Sequence, residues 1–218
     1  LLKIHSFFTI LYPSVFAEQP IFVSTKYEYL MNRVEELNIL WDRSCSGDQK
    51  SYAILHRTLY PVLFNYACKI LKDEDLSDDL LQDLFVRFWE RKTKIGPLQN
   101  VKAYFIKSTR SIVLNHIKSA KLKQDKLDVL PEPDFQFSGE ELIIFEEKEL
   151  ALKQLIYKAI NTLPSKQKEI IYMRFYEDME YNQIAEITGI RYQSVINHVY
   201  RAIQVLRTLN LGSSVFAA

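Results

Sequence analysis

The sequence predicts an all-α chain of two small helical domains joined by a flexible acidic linker. Three observations carry this. Apolar residues recur at three- and four-residue steps through most of the 218 residues, as on one face of a helix, and no stretch shows the two-residue alternation of a strand. Gly (5) and Pro (7) are scarce beside 48% apolar and 25% charged residues, the composition of a helix-rich globular chain with a sizeable core. Pro131, Pro133 and Gly139 lie in an acidic stretch without periodicity, of a kind that rarely packs. The expected organisation is a leader at 1–44, a first domain at 45–123, a linker at 124–139, a second domain at 140–210 and a tail at 211–218.

The elements follow in order. Residues 1–17 combine Lys3 with Phe7, Phe8, Ile10 and Leu11 and end in Val15-Phe16-Ala17, like a weak secretory leader. They are too short, and too broken by His5, Ser6 and Pro13, to cross a membrane. Met31 opens a cleanly patterned stretch, so residues 1–30 are expected to lie upstream of the native start. Val34 to Trp41 reads as helix. Ser46-Gly47-Asp48 then starts a helix over about 49–70, with Leu55, Leu59, Leu63, Tyr66 and Ile70 on one side and Pro61 as the expected site of a kink. Ser77 is expected to cap the next helix, which runs to about Glu90, with Asp78 and Asp79 in its first turn. Residues 91–99, containing Gly96-Pro97, read as a loop. Asn100 caps a long helix to about Lys123. Helices resume over about 140–161, break at Leu163-Pro164-Ser165, and continue from Lys166 to Phe175.

Net charge is only +1, but it is arranged in blocks. Residues 73–90 hold seven acids and one base, 101–126 seven bases and one acid, and 128–149 eight acids and one base. A basic block is an electrostatic footprint for phosphates, and acidic blocks fit a separate, basic partner. Cys45 and Cys68 have no metal-ligand spacing and are too few for a disulfide framework, which fits a reducing, cytoplasmic setting. Cys68 reads as a small buried residue. The four His form no cluster with Cys or carboxylates, so no metal and no cofactor is expected. Without a Gly-rich phosphate loop or a nucleophile near a base, neither is enzyme activity.

Residues 181–207 carry the sharpest signal. Ile184, Ala185 and Ile187 give a short helix its apolar face, and Gly189 falls where the chain must turn. Val195, Val199, Ala202, Ile203 and Leu206 then repeat along a second helix. Its other face carries Gln193, Ser194, Asn197, His198 and Arg201, with no acid between Ile187 and Leu211. This is a helix-turn-helix, and such a helix fits the major groove of double-stranded DNA.

The layout over about 45–210 resembles the extracytoplasmic-function group of sigma factors in the sigma-70 superfamily. Four windows in order carry the resemblance: Asp78 to Glu90 (DDLLQDLFVRFWE); Ala103 to Ser111 with Asn115-His116-Ile117-Lys118; Leu163-Pro164-Ser165-Lys166-Gln167 with Ile170, Arg174 and Phe175; and the helix-turn-helix. Asn115 and the Asn197-His198 pair look most like Bacteroidetes-type versions. The resemblance implies a subunit that binds bacterial RNA polymerase core and directs it to promoter DNA. Arg191, Gln193, Ser194, Asn197, His198, Tyr200 and Arg201 would then read the −35 element. Asn100, Lys102, Tyr104, Lys107, Arg110, Asn115 and Lys118 would read the −10 element as opened single strand, with the loop at 94–100 as the edge of a pocket for a flipped base. Asp78, Asp79, Asp83, Phe88 and Glu90 would dock on the polymerase clamp, although the residue pattern makes Phe85 and Trp89 core. The acidic linker would thread a basic channel meant for RNA. An anti-sigma protein is a further implied partner, and no stable membrane insertion is expected. Two departures touch promoter detail: Ile196 stands where many relatives carry a basic residue, and Ser111 where Asn is frequent.

Two rival readings remain at this stage. A stand-alone helix-turn-helix regulator would need a dimerisation surface, and the sequence contains no coiled coil. A secreted interaction protein is motivated only by residues 1–17.

Overall fold

Asp48 starts the best-defined helix of the first half. Its carboxylate accepts from the Lys50 N–H at 3.0 Å and the Ser51 hydroxyl at 2.7 Å. These bonds to the charged form, the Ser51 bond foremost, hold its pKa below the usual carboxylate range. The computed structural model describes residues 20–122, 134–137 and 157–208. Chain contacts divide it into two units, one spanning Phe22–Pro131 and the other containing Glu132–Ala218.

The first unit consists of α1 (Pro20–Cys45), α2 (Gln49–Leu71), α3 (Glu74–Ile95) and α4 (Val101–Leu122). Lys72, at φ 58°, ends α2 in the left-handed region, with its N–H on the Cys68 carbonyl. Pro61 is accommodated inside α2. Leu55, Leu59, Leu63, Tyr66, Leu81, Phe85, Phe88, Val101, Phe105, Ile106 and Val113 form the core. Cys68 is half-buried rather than fully enclosed.

Three boundaries differ from the sequence reading. The cap of α3 is Asp73, whose Oδ1 accepts from the Leu76 N–H at 3.0 Å. Ser77 lies inside the helix, fully buried, with its hydroxyl donating back to the Asp73 carbonyl at 2.6 Å. α3 also runs past Glu90 to Ile95, because nothing before Gly96 opposes the helix; Gly96 ends it at φ 71°. Finally, the second half of α1, within the expected 1–44 segment, packs into the core through Leu37, Leu40 and Trp41. Trp41 is completely buried, edge-on to Phe105 (5.6 Å) and Phe88 (6.4 Å), and its Nε1–H donates to the Gly96 carbonyl at 2.9 Å. Asn38 donates from Nδ2 to the Gln99 carbonyl at 2.8 Å and accepts the Val101 N–H on Oδ1 at 3.1 Å. Asn100 caps α4 as expected, accepting the Ala103 N–H at 2.8 Å.

The second unit has a helical stretch at 157–161, then α5 (Ser165–Ile171), α6 (Tyr181–Thr188) and α7 (Tyr192–Thr208). The regular helix expected from Lys166 to Phe175 widens instead into a π-helical turn at Tyr172–Tyr176, closed by the Glu177 N–H on the Tyr172 carbonyl. The wider turn lets Tyr172, Met173 and Phe175 all face inward. The expectation that residues 124–139 stay unpacked fails at 134–137, where Phe135 and Phe137 are buried against Tyr172. Apolar side chains outweigh the acidic composition there. The helix expected over 140–156, the tail at 211–218 and the apolar segment at 1–17 lie outside the described residues. Among the described residues, no helix is long and apolar enough to cross a membrane.

Two outcomes test this core. Trp41→Ala should lower stability by about 3–5 kcal/mol, a large aromatic lost from a core, read by urea unfolding. His56 packs against Phe85 (4.4 Å) and Tyr60 (5.1 Å), and desolvation lowers its pKa below 6.5. The unfolded chain therefore takes up this proton first. The His56 contribution is complete above pH 6.5 and is lost as the pH falls through 6.5 toward the lowered value. His56→Phe should shrink the difference in unfolding midpoint between about pH 7.5 and about pH 5.5.

Candidate nucleic-acid interface

The helix-turn-helix is set by the turn between α6 and α7. Gly189, at φ 71°, caps α6 with its N–H on the Ala185 carbonyl, and space is open where a Cβ would stand. A side chain there is disfavoured by backbone conformation alone. Ile184 and Ile187 of α6 are buried, as are Val195, Val199, Ala202, Ile203 and Leu206 of α7, so one face of α7 is committed to the unit. Ala185, expected on the same face, is half-buried.

Of the expected −35 readers, Arg191, Gln193, Asn197, Tyr200 and Arg201 are exposed, and Ser194 and His198 are half-buried. Tyr200 reaches 62% exposure, unusual for a large aromatic side chain that has no task in solvent. The Gln193 amide donates to Asn197 Oδ1 at 3.3 Å, one helical turn on. Sequence reasoning missed Tyr192, exposed at the start of α7. Its ring meets Tyr181 edge-on at 6.3 Å, and the Arg174 guanidinium lies 4.9 Å from the Tyr181 ring. Arg174 also donates to the Met179 carbonyl at 2.9 Å and pairs with Glu180 at 3.5 Å. The π turn, α6 and the start of α7 are thus joined through one cation and two rings.

The first unit has an open cleft of about 690 Å³ between α3 and α4. Tyr104, Ser108, Ser111, Ile112 and Asn115 line it from α4, and Leu84, Arg87, Phe88, Arg91, Lys94 and Ile95 from α3. At about 100° per residue, Tyr104, Ser108, Ser111 and Asn115 fall on one face of α4, with Lys118 and Lys107 within about 60° of Tyr104. Lys102 and Arg110 do not share that face; they lie about 160° and about 120° around from Tyr104. Asn100 is half-buried, with its Oδ1 used as the cap. The cations that line the cleft opposite Tyr104 are Arg87, Arg91 and Lys94; the sequence reading proposes neither Arg87 nor Arg91, and Lys94 only as the start of the loop at the pocket edge. Both Arg91 and Lys94 fall within the loop expected at 91–99, and only the extension of α3 to Ile95 brings them onto this wall. The signal was available as bases spaced four and three residues apart. Arg87 also pairs with Asp83 at 3.8 Å, both well exposed and so weakly coupled.

The outer face of α3 corrects two of the expected docking residues. Phe88 is buried (4% exposed), its ring 4.0 Å from Phe105, and cannot anchor a partner. Asp78 is half-buried, with its oxygens taken by the Tyr60 hydroxyl and the Gln82 amide. Asp79, Asp83 and Glu90 are exposed as expected. The apolar member of their stripe is Val86, 57% exposed and at the matching helical angle. Phe85 is core, and Trp89 is half-buried on Tyr52 (5.0 Å) beneath Lys92 Nζ (3.6 Å).

Comparisons with known proteins agree with this geometry. Residues 55–122 match the family model for Sigma-70 region 2, and residues 153–206 match that for Sigma-70, region 4. Together the two stretches take up more than half of the chain. It is a sigma factor of the sigma-70 family, in the extracytoplasmic-function group. The sigma factor is 26% identical over 165 residues to RNA polymerase sigma factor SigV of Bacillus subtilis, covering 75% of this chain and 87% of that one. It is 25% identical to ECF RNA polymerase sigma factor SigL of Mycobacterium tuberculosis, covering 74% and 92%. The solved structure of CnrH in complex with the cytosolic domain of CnrY shares the fold, with a TM-score of 0.51 at 18% identity over 82% of this chain and 99% of that one. The sigma factor binds core polymerase and directs promoter-specific transcription initiation, region 2 serving the −10 element and region 4 the −35 element.

Gly189→Ala should destabilise the region 4 unit by about 1 kcal/mol through the left-handed backbone alone. Thermal unfolding of the isolated variant chain, without DNA, reads this.

Proposed function

We propose that α7 reads the −35 element with Arg191, Gln193, Ser194, Asn197, His198, Tyr200 and Arg201, and that Tyr192 contacts the adjoining backbone. The observation that carries this reading is the division of α7 into a buried apolar face and a face of exposed donors without a carboxylate. Arg201 is suited to a bidentate contact with guanine or phosphate. The −10 element enters the α3–α4 cleft as single strand. Tyr104 offers a π face for an unpaired base, Asn115 an amide for its edge, and Arg87, Arg91, Lys94, Lys107 and Lys118 a cationic track for phosphates. Asn100 shapes the turn beside it, while Lys102 and Arg110 meet DNA only outside the cleft. Asp79, Asp83, Val86 and Glu90 dock on a basic polymerase surface, by charge steering around an apolar contact.

The working domains in this reading are region 2 within 45–123, extended at its front by α1, and region 4 within 140–210. Residues 134–137 of the 124–139 linker belong with region 4. The chain acts in the cytoplasm, where polymerase is, and has no catalytic activity of its own. We also propose a Bacteroidetes-type kinship, on the strength of Asn115 and the Asn197-His198 pair alone. A protein inhibitor of the anti-sigma type is a further partner; CnrH, which shares the fold, was solved with the cytosolic domain of CnrY bound.

Run-off transcription with bacterial core polymerase and the DNA upstream of the gene tests the whole reading. A discrete transcript is expected. Arg201→Ala should reduce it about tenfold, the loss of one bidentate contact. Tyr104→Ala should lower binding of a pre-opened −10 strand by a similar factor, roughly 1–3 kcal/mol per stacked base, while leaving duplex −35 binding unchanged. Val86→Glu should weaken co-elution with core polymerase without affecting either DNA contact. A transcript unaffected by Arg201→Ala would remove α7 as the −35 reader.

A further inference from the structure

Residues 134–137 fall outside the stretch matched by the region 4 family model, 153–206, yet they are built into its unit. Phe135 is completely buried and Phe137 is 4% exposed, whereas Asp134 and Gln136 are exposed, the alternation of an extended chain. The Phe135 ring lies 5.3 Å from Tyr172, and the Phe137 ring 5.9 Å from Tyr172 and 5.3 Å from Tyr176. The Phe137 N–H donates to Asn161 Oδ1 and the Ser165 hydroxyl to Asp134 Oδ1, both at 3.3 Å. Both tyrosines belong to the π turn. Its wider closure brings residues four apart nearly into line, which stacks Tyr172 on Tyr176 at 5.5 Å. Arg174, midway between them, lies about half a turn around from either. There its guanidinium holds the Met179 carbonyl at 2.9 Å, the Glu180 carboxylate at 3.5 Å and the Tyr181 ring at 4.9 Å. Glu180 caps α6, and the Tyr181 ring meets Tyr192, the first residue of α7.

We propose that Phe135 and Phe137 are positioning residues for the −35 reader: they hold the π turn in its wide form, and the turn, through Arg174 and Tyr181, sets the N-terminal end of α7 against DNA. The inference rests on the reading of α7 as the −35 helix. The turn does not keep this shape by its own preference. π turns are rare within helices. Asp178, just beyond it, has a left-handed φ of 52°, which side-chain-bearing residues disfavour. Arg174 Nε is buried with no acceptor among the described residues, so the guanidinium stands where the turn puts it and not where a full set of hydrogen bonds would. Closing the same residues as α-helix would shift the chain beyond them by one residue, about 100° around the axis. Packing against the two phenylalanines favours the stacked tyrosines and hence the wide form. The start of α7 is the part that feels this. Five buried residues fix the body of the helix, but none before Val195 is buried, and Tyr192, Gln193 and Ser194 take their direction from Tyr181. In a helix-turn-helix those first residues are the ones that reach base edges.

The test is binding of the full chain to two labelled duplexes, one covering the −35 element of the promoter defined by run-off transcription, the other with that element scrambled. Phe135→Ala/Phe137→Ala should lower the preference for the first duplex about tenfold, the scale of one lost base contact. Arg174→Gln should lower it by a similar factor. The chain carrying all three changes should lose no more than either variant alone, because both break one path. A merely structural role for the phenylalanines would instead add its loss to that at Arg174. Circular dichroism checks that the alanine pair folds; if it does not, Tyr176→Ala, which opens the socket at a half-buried position, is read by the same ratio. An unchanged preference in the folded alanine pair, or in Tyr176→Ala where the pair does not fold, overturns the proposal, and so do additive losses. Arg201→Ala is the control. If it too leaves the preference unchanged, the reading of α7 has failed, and the positioning role falls with it.

Discussion

The first unit depends on one buried indole. Trp41 fills the space between Phe88 of α3 and Phe105 of α4, and its single polar hydrogen meets the carbonyl of Gly96, where the chain leaves α3. An indole buried without that partner would lose the solvation of its N–H, so apolar packing and the position of the turn are secured together. Asn38, one helical turn earlier, takes the other side of the same connection with both ends of its amide. The turn from Gly96 to Asn100 is thus held from α1, and α3 and α4 are set at the separation that opens the cleft between them. The cationic wall and the tyrosine face each other because a helix outside the cleft holds its hinge.

The two units solve the same problem differently. In region 2, long helices pack around an aromatic centre, and the exposed side chains of α3 divide into an acidic stripe and a cationic cleft wall on neighbouring faces, which meet at the Arg87–Asp83 pair. In region 4 the helices are short, and alignment comes from particular devices: a glycine in the left-handed region, a π turn, and an arginine bridging two rings. Helices of seven or eight residues have little stability alone. Their orientation therefore has to come from such contacts and from the five buried residues of α7.

The buried face of α7 was legible in the sequence, because a five-residue apolar repeat and a glycine admit little else. The helix-by-helix outline of region 2 was legible for the same reason. What escaped was governed by tertiary contact. Ser77 outranks nothing as a cap once Asp73, four residues earlier, offers a carboxylate at the right distance. Gly96-Pro97 suggested a loop beginning at residue 91, but a glycine ends a helix only where it stands, and Arg91 and Lys94 moved from a loop to a cleft wall as a result. Phe88 and Val86 are two residues apart and nearly opposite on the helix; hydrophobicity favoured the phenylalanine as an anchor, whereas the helical angle leaves only the valine outside. Phe135 and Phe137 lie in a stretch whose acids and prolines argue against packing, with no local periodicity to announce that a surface elsewhere would receive them.

Trp41 and Trp89 are the chain's two tryptophans, and both sit in the first unit, which contains region 2. One is sealed in the core; the other is half-buried beneath a lysine ammonium. Indole emission from the intact chain therefore reports the melting of region 2 and is blind to region 4, which carries tyrosines but no indole. A helical signal and an emission signal followed together would separate the two transitions without cutting the protein, and any lag between them would measure how independently a promoter-reading chain of two parts holds each part together.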